Sequence, residues 1–177
     1  MAEGLIPRAL AEVVVRDVYG NERTLGEAWR ERPAVVVWVR HFGCIACRAH
    51  VAELRPHLDA IKKRAELVIV GNGNVEQARR FRELMDLQAV PVLSDEALAS
   101  YRIAGLQRGW WSFLRPSALA NWLRLRDGHQ RGIRGDVMQQ GGTMVIAPSG
   151  AVAYKHVSRT WGDNSPARDV LAALERC

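Results

Sequence analysis

The chain has 177 residues, which is long enough for one domain with a substantial hydrophobic core. Hydrophobic residues make up 48% of it, and no apolar run approaches the ~18 residues that a membrane-spanning helix needs, so we expect a soluble globular protein. Three cysteines exclude a disulfide scaffold, and the net charge of +6 alone is compatible with nucleic-acid binding.

Strands and helices alternate along the first half of the predicted fold. Residues 13–25 predict a strand, a tight turn and a short return strand, followed by a brief helix. Residues 34–40, with the sequence AVVVWVR, are apolar on both alternating faces, which predicts a central strand covered on both sides. From Cys47 to Ala65 the apolar positions recur in steps of four and three, which predicts a helix with one buried stripe. Pro56 lies inside this helix and should kink it, because proline removes one backbone hydrogen bond.

The second half continues the alternation and then changes to a hairpin. Residues 66–70 predict a second buried strand and residues 90–95 a short strand, and each is followed by a helical pattern. The second of these helices should end at Gly105, a residue type typical of helix C-termini. Residues 141–158 predict two strands around a Pro-Ser-Gly turn.

A closing helix completes the predicted fold. Ser165 is a candidate N-cap for this helix, and Pro166 suits its first position. The order of elements predicts an α/β sandwich with a mixed central sheet flanked by helices. With neither an internal repeat nor a dividing linker, residues 1–177 are predicted to form a single domain.

An Arg/Trp-rich insertion interrupts the pattern at about residues 106–140. It carries six arginines against two aspartates, and so supplies most of the net positive charge. The favoured interpretation is an elaborated connection whose aromatic residues cover the core and whose arginines are solvated. The segment SALANWLRLR also fits a short amphipathic helix against a partner or a lipid surface. Nucleic-acid binding is not expected, because no recognised binding motif accompanies the charge.

The stretch RHFGCIACRAH, residues 40–50, holds the main candidate site. His41, Cys44, Cys47 and His50 are spaced like metal ligands. On a helix, however, steps of three residues rotate each side chain by about −60°, so the four groups cannot converge on one tetrahedral zinc ion. A c-type haem attachment requires a histidine directly after the second cysteine, where this chain has Arg48. We therefore expect neither a metal nor another cofactor.

Thiol redox chemistry suits the same stretch, because a strand leads directly into a C-x-x-C at the start of a helix. The free N–H groups and the positive end of the helix dipole stabilise a thiolate at that position. Arg40 and Arg48 add positive potential. The helix terminus favours Cys44 as the attacking thiol, with Cys47 closing a disulfide one turn away.

Several longer segments resemble the AhpC/TSA type of thioredoxin-fold protein, and most closely the peroxiredoxin-like 2 (AAED) family. They are DVYGNERTLGEAW, VVVWVRHFGCIACRAHVAEL, PVLSDEALASYRIAG and GDVMQQGGTMVIAPSGAVAYKHVSRTWGDN. The resemblance covers nearly the whole chain and implies a thioredoxin-like three-layer sandwich. It also implies a tryptophan-bearing insertion before the last of these segments.

The chain departs from the peroxiredoxin pattern P-x-x-x-T-x-x-C at two of its three defined positions. In that register the attacking cysteine is Cys47, the threonine position is Cys44 and the proline position is Arg40. The arginine of peroxiredoxins falls at about Gly141, and the cis-proline of thioredoxins at about Gly142. The peroxiredoxin register therefore favours Cys47 as the nucleophile, whereas the helix terminus favours Cys44. Both alternatives stay open, and we prefer Cys44.

The resemblance implies a thiol-dependent antioxidant oxidoreductase that reduces hydroperoxides, or lipid-type endoperoxides, through a Cys44–Cys47 disulfide. Arg40 is the third predicted site residue, because its charge would steer the substrate. A thioredoxin-like protein or a small thiol would donate the electrons. A homodimer is compatible with the sequence. The N-terminus does not resemble a secretion signal, and we expect a cytoplasmic location.

Two other functions remain alternatives. The first is a protein dithiol–disulfide oxidoreductase, and the second is a redox-silent binding module that uses the basic insertion. Asp95 is expected to cap the following helix, and His41 and His50 are expected to be half-exposed without a special role. Cys177, the last residue, is expected to be an idle thiol.

Overall fold

One strand that is apolar on both faces organises the structure. In the computed structural model, which describes residues 6–107, 138–160 and 162–177, every residue of β3 (Ala34–Val39) is buried. Side chains alternate between the two faces of a strand, so β3 sends Val35, Val37 and Val39 into one hydrophobic cluster. It sends Ala34, Val36 and Trp38 into a second cluster on the other face.

Besides β3, the described residues form the strands β1 (Val14–Arg16), β2 (Glu22–Thr24), β4 (Glu66–Gly71), β5 (Val92–Ser94), β6 (Gly142–Ile146) and β7 (Val152–Val157). These seven strands make one mixed sheet in the order β2-β1-β5-β4-β3-β6-β7, with β3 near its middle. β3 pairs in parallel with β4, and β4 with β5, whereas β6 is antiparallel to both β3 and β7. β1 pairs antiparallel with β2 and β5 at the other side of the sheet.

Helices cover both faces of the sheet, which gives the three-layer arrangement of a thioredoxin-like fold. The first cluster contains residues of α2 (Ile45–Leu54), α3 (Leu58–Arg64), α4 (Val75–Leu84) and α6 (Ala167–Leu174). The second cluster contains residues of α1 (Arg8–Ala11), a 3₁₀ helix (Leu25–Trp29) and α5 (Ala99–Ile103). The predicted α/β class and its mixed sheet are thereby confirmed. No helix in the described ranges is long and apolar enough to cross a membrane.

The long helix after the cysteines is interrupted at Pro56, as the sequence predicts. α2 ends at Leu54, a 3₁₀ turn spans Arg55–His57 with Pro56 inside it, and α3 begins at Leu58.

The predicted N-cap of the last helix, Ser165, is wrong by one residue. Pro166, with an extended ψ of 137° typical of a non-helical residue, is itself the N-cap.

Ser165 has a different partner from the expected one. Its hydroxyl donates to the hydroxyl of Tyr154 at 2.9 Å, and no side-chain hydrogen bond caps α6. Asp95, in contrast, caps as expected. Its carboxylate accepts from the backbone N–H groups of Ala99 and Ser100 at 3.1 and 2.8 Å.

The two ends of the predicted insertion meet between α5 and β6. The backbone N–H of Gln140 donates to the carbonyl of Gln107 at 3.1 Å, and the Gln139 amide donates to the carbonyl of Leu106 at 2.9 Å. The chain therefore leaves and rejoins the sheet at one place. Residues 108–137 of the insertion lie outside the described residues, as do the predictions that concern their arginines and tryptophans.

Phe42, between β3 and the first cysteine, packs directly on the end of β4. A Cβ atom at Gly71 would lie 2.1 and 2.2 Å from Cε1 and Cζ of the Phe42 ring. The same ring contacts Phe81 of α4, with 5.5 Å between the centroids. Glycine at position 71 thus allows the ring to anchor the loop that carries the cysteines.

We expect Gly71→Ala to lower the free energy of unfolding by about 1–3 kcal/mol, because the methyl group must displace the Phe42 ring from a packed core. Urea denaturation of the wild type, Gly71→Ala, Phe42→Leu and the double variant measures this cost. In the Phe42→Leu background the additional cost of the alanine should shrink. Equal costs in both backgrounds would contradict the proposed contact.

Candidate active site

The two cysteines lie where the C-terminal end of β3 leads into the first turn of α2. Cys44 is the N-cap residue of α2, with extended φ and ψ angles of −73° and 118°. Cys47 lies inside the first turn. The structure therefore places the C-x-x-C at the helix N-terminus that the sequence predicts, where the first backbone N–H groups lack helical partners.

Hydrogen bonds link the sulfur atoms to the backbone and to each other. The backbone N–H of Cys47 donates to Sγ of Cys44 at 3.4 Å, so the sulfur caps the helix. The backbone N–H of Arg40 donates to Sγ of Cys47 at 3.3 Å. Both cysteines are unbridged and buried, with 2% and 7% of their surface exposed.

These surroundings separate the pKa values of the two thiols. The hydrogen bond from the Cys47 thiol, helped by the Cys47 backbone N–H and the charge of Arg40, lowers the pKa of Cys44 to about 7 against the opposing effect of burial. Burial and the adjacent Cys44 sulfur raise the pKa of Cys47 well above its usual range. Near neutral pH the negative charge of the pair therefore belongs on Cys44.

Arg40 is buried beside the thiols, with only 3% of its surface exposed. Its Nη2 donates to the carbonyl of Thr160 at 2.7 Å. Its Nη1 is buried and has no hydrogen-bond partner within the described ranges. A guanidinium so placed adds positive potential at both sulfurs, and it retains a donor for an oxygen atom that enters the site.

Backbone packing leaves no space for a side chain at the two positions where the peroxiredoxin arginine and the thioredoxin proline would fall. A Cβ at Gly141 would lie 2.7 Å from the carbonyl oxygen of Trp38 and 3.6 Å from Cγ of Arg40. A Cβ at Gly142 would lie 2.7 Å from the carbonyl oxygen of His156. Neither position accepts a side chain without backbone movement, so the cation near the thiols comes from the end of β3.

Both histidines of the motif are buried, and the expectation that they are half-exposed is wrong. His41 and His50 each have 6% of their surface exposed. Burial, with a smaller effect of nearby His156, lowers the pKa of His50 to about 4, so this residue is neutral at physiological pH. The described residues contain no group of three or more His, Cys, Asp or Glu side chains placed to hold a metal ion.

A distant segment covers the start of α2, which the sequence does not reveal. Besides the contact of Thr160 with Arg40, the side chain of Asn164 donates to the carbonyl of Ala46 at 3.3 Å. The backbone of Ser165 bonds His50. These residues follow the motif by more than a hundred positions and belong to no recognisable motif, so only the fold identifies them.

Cys177 contacts residues other than those around Cys44 and Cys47. Its thiol lies at the end of α6 and points to the carbonyl of Ala173, 3.7 Å away. Partial burial raises the pKa of this thiol, which opposes thiolate formation. Among the described residues, none of its contacts reaches Cys44 or Cys47.

The sequence profile of the AhpC/TSA antioxidant enzyme family matches residues 51–160, more than half of the chain. The chain belongs to this family. The matched region begins after both cysteines, so the family membership does not depend on them. Together with the helix-capping thiol, the membership makes the protein a thiol oxidoreductase of the antioxidant, peroxiredoxin-like kind.

Relatives with similar sequences agree with the predicted resemblance. The chain is 30% identical to the thioredoxin-like protein AAED1 of Arabidopsis thaliana, over 93% of this chain and 71% of that protein. It is 30% identical to peroxiredoxin-like 2C of Mus musculus, over 92% and 77%. It is 29% identical to prostamide/prostaglandin F synthase of Salmo salar, over 92% and 84%.

Solved structures confirm the fold. Peroxidoxin BcpB of Mycobacterium tuberculosis superposes with a TM-score of 0.69 at 20% sequence identity, over 97% of both chains. At this identity the likeness concerns the fold. The predicted thioredoxin-like sandwich is therefore confirmed.

We expect the alkylation rate of Cys44 by iodoacetamide to rise with pH around a midpoint near 7, because only the thiolate reacts and hydrogen bonds stabilise it. Cys47 should stay unmodified up to pH 9. Mass spectrometry of peptides after short exposures at pH 5.5–9 measures both rates. The Cys177→Ser variant serves as a control without the exposed thiol. Faster modification of Cys47 than of Cys44 would contradict the assignment.

Proposed function

We propose that this chain reduces hydroperoxides through a disulfide cycle between Cys44 and Cys47. The observation that carries the proposal is the capping geometry of Cys44, whose sulfur accepts hydrogen bonds from the thiol and backbone N–H of Cys47. The same contact places the resolving thiol beside the attacking one. Family membership supports the reaction class.

In the proposed cycle the Cys44 thiolate attacks the terminal oxygen of the hydroperoxide. The O–O bond breaks, the leaving oxygen departs as an alcohol or water after taking up a proton, and Cys44 becomes a sulfenic acid. The Cys47 thiol then attacks the Cys44 sulfur, a Cys44–Cys47 disulfide forms, and water leaves. A thioredoxin-like dithiol, or two small thiols, returns the pair to the reduced state.

Arg40 has a catalytic role in this proposal. Its Nη2 is fixed by the carbonyl of Thr160, and its Nη1 has no protein acceptor in the described part of the chain. Donation from Nη1 to the leaving oxygen would stabilise the negative charge that develops there as the O–O bond breaks. The charge of Arg40 also favours the thiolate that begins the reaction.

The burial of Cys44 favours a small substrate over a protein disulfide. In the reduced protein, with 2% of its surface exposed, the Cys44 side chain is accessible to a small peroxide more readily than to a folded protein. A lipid-type endoperoxide is the alternative substrate, because similar proteins are named prostamide/prostaglandin F synthase. A cytoplasmic location belongs to the proposal, since a cycle reset by dithiols needs a reducing compartment.

We expect Cys44→Ser to abolish the reaction of the reduced protein with an alkyl hydroperoxide, because the attacking sulfur is gone. Cys47→Ser should react once and retain a sulfenic acid on Cys44, which dimedone traps for mass spectrometry. Cys177→Ser is the matched control and should keep the full rate. Stopped-flow single turnovers with hydrogen peroxide, cumene hydroperoxide, a prostaglandin endoperoxide and an oxidised protein disulfide identify the substrate class. Unchanged peroxide rates in Cys44→Ser would exclude the proposed cycle.

We expect Arg40→Gln to slow peroxide reduction by about 10²-fold, the effect of removing one donor from an anion-stabilising site. Arg40→Lys retains the charge and should restore the alkylation midpoint of Cys44 while recovering only part of the peroxide rate, because a single ammonium does not reproduce both Nη positions. Second-order rate constants and alkylation profiles of both variants separate the two roles. A peroxide rate that follows the thiolate fraction alone in both variants would limit Arg40 to an electrostatic role.

A further inference from the structure

Tyr101 of α5 is fully buried and belongs to the second hydrophobic cluster, whereas both cysteines belong to the first. Its hydroxyl donates to the carbonyl oxygen of Val39, the last residue of β3, and lies farther from the carbonyl oxygen of Val70, at 3.2 Å. The backbone of Asn72 bonds the phenol oxygen. This hydroxyl therefore joins the C-terminal ends of the parallel strands β3 and β4, and the cysteines follow directly after β3.

The peptide group between Val39 and Arg40 is engaged at both of its ends. Its carbonyl oxygen accepts from the Tyr101 hydroxyl, and its N–H donates to Sγ of Cys47 at 3.3 Å. The thiol of Cys47 in turn bonds the sulfur of Cys44. Every donor in this series points towards Cys44.

We propose that Tyr101 is a positioning residue that acts on the Cys44 thiolate through this series of hydrogen bonds. The series runs from the Tyr101 hydroxyl through the Val39–Arg40 peptide group to the Cys47 thiol and ends on the sulfur of Cys44. The inference rests on the proposed role of Cys44 as the attacking thiol, and it adds a residue that touches neither sulfur.

Polarisation is the physical basis of this role. A hydrogen bond to a peptide carbonyl withdraws electron density and makes the N–H of the same group a stronger donor. A stronger donor to the Cys47 sulfur makes the Cys47 S–H a stronger donor to Cys44. Because the series is buried, the low dielectric constant of its surroundings preserves these effects.

Tyr101 is suited to be a permanent donor in this position. Burial, with a smaller effect of the nearby Asp95 charge, raises the pKa of Tyr101 well above its usual range, so the phenol keeps its proton. Ser100, the preceding residue, has a different set of partners. Its hydroxyl donates to Asp95 at 2.6 Å and accepts from the indole N–H of Trp38 at 3.0 Å.

The test is the pH profile of Cys44 alkylation in Tyr101→Phe, which removes the hydroxyl and keeps the ring. We expect the midpoint to move to higher pH and the rate at pH 6.5 to fall about threefold, the size expected when one remote bond of a cooperative series is lost. Ser100→Ala is the matched control. It removes a neighbouring buried hydroxyl on the same helix, and should lower the melting temperature without moving the midpoint.

A second variant keeps the test decisive where Tyr101→Phe does not fold. Site-specific incorporation of 3-fluorotyrosine at position 101 retains the hydroxyl and makes it a stronger donor, so the midpoint should move to lower pH. Midpoints that stay at the wild-type value in both variants, or move equally in Ser100→Ala, would overturn the proposal. Because the alkylation assay contains no peroxide, it tests the hydrogen-bond series separately from the peroxide reaction. A wild-type profile without a reactive Cys44 would instead count against the proposed function.

Discussion

The site depends on how the end of β3 is held against the first turn of α2. The backbone N–H of Arg40 would continue the strand, but it donates to the sulfur of Cys47. One turn earlier, the sulfur of Cys44 takes the place of the side-chain oxygen that usually caps a helix. Strand and helix are thus joined through sulfur atoms. Any change in the charge or oxidation state of either sulfur acts on this junction.

Burial and hydrogen bonding oppose each other at the two cysteines, and the balance differs between them. Burial raises the pKa of both thiols. At Cys44 the donors from Cys47 and the charge of Arg40 outweigh burial, whereas at Cys47 burial and the neighbouring negative charge prevail. In the peroxiredoxin register Cys47 attacks, whereas the position at the helix N-terminus favours Cys44. This asymmetry supports Cys44 as the attacking thiol and Cys47 as the resolving one.

The sequence predicts most of the framework because its signals are local. The alternation in residues 34–39 determines which side chains enter each cluster, and Pro56 marks the interruption between α2 and α3. The position of Cys44 at a helix N-terminus follows from the same kind of local pattern. These features need only neighbouring residues, so periodicity and backbone preferences suffice to find them.

Features that depend on packing between distant elements could not be predicted in this way. The burial of His41 and His50 accompanies the distant contacts of Thr160 and Ser165, whose backbone groups bond Arg40 and His50 respectively. The contact of Tyr101 with Val39 spans 62 positions and depends on how α5 crosses the sheet. Neither contact follows from a sequence period or motif. The need for glycine at position 141 likewise follows only from its closeness to the carbonyl of Trp38.

Gly141 and the stem of Arg40 lie side by side where two backbone segments approach closely. The backbone at position 141 lies so near the carbonyl of Trp38 that a Cβ would meet it at 2.7 Å, and the stem of Arg40 lies alongside. Burying a guanidinium costs free energy, which a single carbonyl contact offsets only in part. A thiolate on Cys44 supplies the opposite charge and offsets more of this cost. Protonation of Cys44 would remove that compensation, so the charge of Arg40 and the reactivity of Cys44 are coupled within one buried site.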